Sequence, residues 1–106
     1  MLVRLDLYAG LADRNGNVFG KNERFKAFLD DLTELTGGLS VMDQIGRYKN
    51  REGKIIEEPS VVITIFGINE DQLSAVKEIV RNFLKETDQE SAVLVRDLVN
   101  PEFIEV

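Results

Sequence analysis

Residues 2–9 alternate along the chain. Val3, Leu5, Leu7 and Ala9 fall on one side of an extended backbone and Leu2, Arg4, Asp6 and Tyr8 on the other, as a strand with one buried face requires. A stretch rich in Gly, Asn and Asp, 10–20, reads as a loop. Asn22 is then placed to cap a helix, because Phe25, Phe28, Leu29, Leu32 and Leu35 recur at helical spacing and Gly37-Gly38 ends them. Residues 39–49, a turn at Asn50-Arg51-Glu52-Gly53 and residues 54–67 form one long hairpin. Asn69, with Gln72 three residues on, has the form of a capping box and opens a second helix with the stripe Leu73, Val76, Ile79, Val80, Phe83 and Leu84. Residues 91–95 read as a last strand, and 98–106, which contains Pro101, as a tail.

The order β-α-β-β-α-β in one domain, 1–106, predicts the split βαβ arrangement of ferredoxin-like folds. That is an α+β fold with one antiparallel sheet, ordered 4-1-3-2, and both helices on one face. Strand 3 is then central, and Pro59 part-way along it cannot donate to a ladder. The conflict disappears if strand 1 pairs with 60–66 alone. Residues 45–58 then continue past the sheet as a two-stranded arm that projects about 15 Å at ~3.3 Å per residue. Such ribbons are marginal alone and need something to lie against.

Setting Lys49 opposite Lys54 pairs Tyr48 with Ile55 and Arg47 with Ile56, and leaves Arg47 diagonal to Glu58. Two readings of Arg47, Tyr48, Glu57 and Glu58 stand: a recognition or catalytic patch, or an ordinary solvated hairpin. A bulge at Pro59 would shift these pairings. The same register sends Val61, Ile63 and Ile65 under the helices. Val62, Thr64 and Phe66 then face away with Leu39, Val41, Leu2 and Tyr8. An apolar face of that kind marks an interface or a ligand groove. Self-association is the leading expectation, with Tyr8, Val41, Val62 and Phe66 in the contact and Phe103 and Ile104 of the tail covering part of it. The bland alternative is that tail or arm covers the patch within one chain.

Composition narrows the chemistry. The sequence has no cysteine and no histidine, which removes disulfides, thiolate chemistry and imidazole bases within one chain. Thirteen basic against nineteen acidic residues give a net charge of −6, which disfavours nucleic acid and anionic membrane as partners. No apolar run approaches the ~20 residues that span a bilayer, and the first residues do not form a signal peptide, so a cytoplasmic location is expected. Asp13-Arg14-Asn15-Gly16-Asn17 spaces oxygens like the start of a calcium loop, but Val18 and Arg24 stand where that loop needs glycine and glutamate. A turn explains it better, and neither metal nor cofactor is expected. The glycines at 10, 16 and 20 match no phosphate-binding spacing. Carboxylates remain as acid–base groups: Asp6 with its neighbour Arg4, Glu57 and Glu58.

Tyr8-Ala9-Gly10-Leu11 with Asp13, Gly46-Arg47-Tyr48 followed by Glu52-Gly53 and Glu57, the run 61–66, and Gln89-Glu90-Ser91-Ala92-Val93-Leu94-Val95 together resemble a family of small ferredoxin-like proteins that carry a domain of unknown function. The resemblance implies the fold and the importance of Gly46-x-Tyr48 and the glutamate after it, and implies no activity. The expectation is a homo-oligomeric binding or protein-interaction module rather than an enzyme. The alternative is a small-molecule site, binding or enzymatic, on the open sheet face or at the base of the arm. There Arg4 and Arg47 hold an anion and Glu57 or Asp6 supplies a base.

Overall fold

The computed structural model describes residues 2–106. Its elements are β1 (Leu2–Gly10), α1 (Glu23–Thr36), β2 (Ser40–Lys49), β3 (Ile55–Ile68), α2 (Glu70–Glu86) and β4 (Val93–Val99). The four strands form one antiparallel sheet in the order β2-β3-β1-β4, the expected order read from the other edge. The fold is the ferredoxin-like α+β fold. Val3, Leu5, Leu7 and Ala9 of β1 and Val61, Ile63 and Ile65 of β3 share one core with Phe25, Phe28 and Leu32 of α1 and Leu73, Val76, Val80 and Phe83 of α2. Both helices therefore cover the same face.

Local signals set the helix ends. The Asn22 side chain accepts from the Phe25 amide at 2.9 Å, and Gly37 ends α1 in the left-handed region at φ 88°. At α2 the Asn69 side chain accepts from the Gln72 amide (2.9 Å), and the Gln72 side-chain Oε1 accepts from the Asn69 amide (3.0 Å), closing the box. Asn69→Ala is expected to lower unfolding free energy by about 1 kcal/mol, and Asn69→Gly by only a few tenths. Urea unfolding at an unchanged slope is the check.

β4 runs from Val93 to Val99 rather than over 91–95, so Leu98 and Val99 belong to the sheet and not to the tail. The charges Arg96 and Asp97 do not stop it, because Asp97 pairs across to Arg4. β3 carries one residue more than β1 between the pairs Val3–Ile68 and Leu5–Ile65. The extra residue is absorbed where Gly67 adopts φ 74°.

The hairpin register differs by one residue from the expected one. Tyr48 lies opposite Ile56, Arg47 opposite Glu57 and Gly46 opposite Glu58. The cause is the turn. Asn50 bonds to Lys54 across the hairpin, its side chain accepts from the Glu52 and Lys54 amides, and Gly53 supplies a left-handed residue. No shift interrupts the β2–β3 ladder at Pro59. The β1 pairing does end at Gly10–Ser60, next to Pro59. The Pro59 carbonyl accepts from the Leu11 amide at 2.9 Å. A strand residue's nitrogen and oxygen face the same edge, so the missing N–H also points past β1 and the ladder to β2 loses nothing.

Candidate functional site

Alternation along β3 places Ile56, Glu58, Ser60, Val62, Thr64 and Phe66 on one face, opposite to Val61, Ile63 and Ile65. Along the sheet the helix-facing odd residues are buried. Along the arm the even residues are buried instead, and the change falls between Ser60 and Val61. The arm does not stand free. Asn50 Nδ2 donates to the Arg14 carbonyl, and the Arg51 amide donates to Glu90 Oε1, each at 3.4 Å. Ile56 is buried near Gly16. The loop after β1 and the turn between α2 and β4 therefore supply what the ribbon lies against.

This cover divides the hairpin's four charged and aromatic candidates. Arg47 and Glu57 face each other at 3.6 Å on the exposed side, a solvated pair worth at most about 1 kcal/mol. Tyr48 and Glu58 lie on the covered side. Glu58 is only 7% exposed, and its Oε2 has no hydrogen-bond partner among the described residues. Its Oε1 occupies space that glycine leaves open, since a Cβ added at Gly10 would stand 2.0 Å from it. The Gln89 side-chain oxygen reaches the same place, 3.1 Å from that position, while its amide nitrogen donates to Thr87 Oγ1 at 2.9 Å. Gly46 lies opposite Glu58 on β2 and also lacks a side chain there. Removal from water, with no cation among the described residues to offset it, pushes the Glu58 carboxyl up to about 7. Burial likewise raises the Tyr48 phenol, with the charges of Glu58, Glu90 and Asp13 adding to it.

The nearby arginines are engaged elsewhere: Arg14 with Asp88 at 3.0 Å and Arg51 with Glu90 at 3.6 Å. The Asp13 carboxyl accepts from the Asn15 and Asn17 amides and the Asn17 side chain, as in a turn built by an aspartate. The Asn17 amide foremost holds it below the usual carboxylate range.

On the rest of the even face, Asp6 accepts from Thr64 Oγ1 at 2.7 Å and from Arg4 Nη2 at 2.9 Å, and Arg4 also reaches Asp97 at 3.5 Å. Both Asp6 oxygens are occupied, which suits a structural pair better than a free base. Gln44 Nε2 donates to Ser60 Oγ (3.3 Å), which in turn donates to the Ala9 carbonyl (3.0 Å). An open groove of about 320 Å³ is lined by Asp6, Tyr8, Met42, Gln44, Val62 and Thr64.

Ser40, Met42 and Gln44 flank this face in place of Leu39 and Val41, because the register pairs Val41 with Ile63 on the helix side. β4 adds Val93 and Val95, paired with Tyr8 and Asp6. Phe103 comes close to Gly67 and joins Phe66 and Thr64 around a second cavity, while Ile104 is almost fully exposed. The arm base and the sheet groove are separate stretches of one face. Met42, Gln44, Gln89, Val93 and Val95 were not among the expected site residues. Gln89, Val93 and Val95 lie in the segment 89–95 that carries the family resemblance, while Met42 and Gln44 needed the hairpin register to the residue.

A ferredoxin-like sheet with one bare face and an arm folded over a buried carboxyl defines the class. A family model described as "Protein of unknown function (DUF3574)" matches residues 4–103, and the chain belongs to that family. Among solved structures it is similar to a phage SAM lyase in complex with S-methyl-5'-thioadenosine, with TM-score 0.69 and 19% identity over 91% of this chain and 80% of that one. It is also similar to the periplasmic divalent cation tolerance protein CutA from Archaeoglobus fulgidus, with TM-score 0.66 and 11% identity over 97% and 88%. CutA1 from Pyrococcus horikoshii gives TM-score 0.57 and 18% identity over 97% and 87%. At these identities the likeness is one of fold. None of the curated proteins compared matches the chain.

Proposed function

We propose that this protein is a binding module that self-associates, a second copy of the chain covering the bare face of the sheet. The observation that carries this reading is the apolar row across all four strands: Tyr8, Met42, Val62, Phe66, Val93 and Val95. Met42 is 70% and Phe66 49% exposed. Contiguous apolar surface of this kind marks interaction sites. The face also holds Arg4, Asp6 and Asp97, charges of both signs, so two copies can meet there despite the net charge of −6. Phe66→Glu sets a charge in the row and is expected to convert an oligomer into a monomer in light scattering, with the circular dichroism of the fold unchanged. A wild-type protein that is monomeric at high micromolar concentration would overturn the reading. Within it the protein works in the cytoplasm and has no enzymatic role.

A second reading, a small-molecule site at the arm base, is favoured by Glu58. A buried carboxyl with an unpaired oxygen lowers stability, and groups of that kind concentrate at functional sites. The phage lyase of similar fold is described with S-methyl-5'-thioadenosine, so that nucleoside belongs beside small anions in a thermal-shift screen. A uniformly flat screen on the monomeric variant would remove this reading and leave the first untouched.

A further inference from the structure

We infer that the arm is a proton-operated latch: a neutral Glu58 keeps it seated on Gly10 and the α2–β4 turn, and loss of that proton lifts it away. Beyond the last β1 pair at Gly10–Ser60 and the Leu11 amide–Pro59 carbonyl bond next to it, the arm, 45–58, is joined to the sheet among the described residues only by its own two strands. Its polar fastenings to the body among the described residues are two long hydrogen bonds near its tip and the Arg51–Glu90 ion pair, whose arginine is exposed and whose glutamate is largely covered, with Ile56 and Glu58 as the buried contacts along its length. Glu58 sits at the hinge end, over Gly10 and beside Gln89.

An uncharged acid tolerates that position. A carboxylate there leaves Oε2 without a donor. The surrounding charged and titratable groups do not rescue it. Tyr48 comes from β2, Asp13 and Arg14 from the loop after β1, Asp88 and Glu90 from the α2–β4 turn, and Arg51 from the tip. The two arginines are paired with Asp88 and Glu90, and the remaining groups are acidic. Lifting the arm returns the carboxylate to water and uncovers Tyr48 and Ile56 with it. The released proton goes to solvent, and no other reactant is needed.

The latch is independent of what covers the bare sheet face, and hydrogen exchange by mass spectrometry on the full chain tests it. Glu58 titrates at about 7 when seated and near 4.5 when released, so the open fraction of the arm should rise about tenfold between about pH 6 and about pH 8. That rise, after correction for intrinsic exchange, is expected in peptides from 45–58. Peptides from α1, α2 and 61–66 should show none, and Glu58→Gln should abolish it. Arm protection that does not vary with pH in the wild type would overturn the latch. So would an equal rise in the helices, which would mean global rather than local opening. The wild-type comparison between segments decides the matter even where the variant does not fold.

Discussion

Replacing Glu58 with glutamine is expected to stabilise the protein above neutral pH, by up to about 3 kcal/mol, or about 13 °C in Tm. The carboxyl titrates at about 7 in the folded chain, against 4.5 for an ordinary glutamate. A raised carboxyl favours the folded state most when both folded and unfolded chains are protonated, below about 4.5. That contribution is lost as pH rises from there through 7, and above it the folded state carries a buried charge that the unfolded state does not. Glutamine has nearly the same shape and no charge at any pH. The two proteins should therefore be nearly equally stable at about pH 4.5 and diverge as pH rises. Local lifting of the arm relieves part of the penalty, which is why the figure is an upper limit. Asp13 moves the other way: its carboxyl is depressed, so its contribution is present above the usual aspartate range and lost in acid, a separate window. Thermal and urea unfolding of both proteins across this pH range is the check. Parallel profiles would show that Glu58 is charged when folded.

Phe83→Ala is expected to cost about 3–5 kcal/mol, a large share of the ~5–15 kcal/mol typical of a domain. Phe83 is 0% exposed and joins both helices to the entry loop. Its ring stacks on Phe28 with centroids 4.1 Å apart and interplanar angle 10°, meets Phe19 edge-on at 6.2 Å and lies 6.3 Å from Phe25. The Arg24 guanidinium lies over the same ring at 5.6 Å and is ion-paired with Glu86. Truncation leaves a cavity that the three aromatic partners cannot fill by small shifts. Urea midpoints should fall sharply, and Phe83→Leu should lose much less.

These expectations rest on features of unequal visibility in the sequence. The element order and both helix caps were legible, because alternation, helical spacing, the Asn22 cap and the Asn69–Gln72 box are local signals. Pro59 marked the end of the β1 pairing for the same reason. The register was not legible to the residue. It depends on whether the turn closes at Lys49 or at Asn50, and the Asn50 side chain decides that. From this single slip followed the misplacement of Val41 and the diagonal expected between Arg47 and Glu58. The extent of β4 past Val95 was not legible, because Arg96 and Asp97 are charged and Arg4 comes opposite Asp97 only in the folded sheet. Glu58 was named with its neighbours as a candidate, with a diagonal to Arg47 that the register removes. What covers it was out of reach, because Gly10 and Gln89 are brought to it from distant parts of the chain.

The burial of Glu58 as an acid at the base of the arm can be observed directly. Carbon-13 NMR of the side-chain carboxyls, with Glu58→Gln to assign the resonance, follows its titration in the folded protein. A midpoint at about 7, well separated from the other glutamates, is the expected result. A midpoint near 4.5, within the ordinary glutamate range, would contradict it and remove the latch with it.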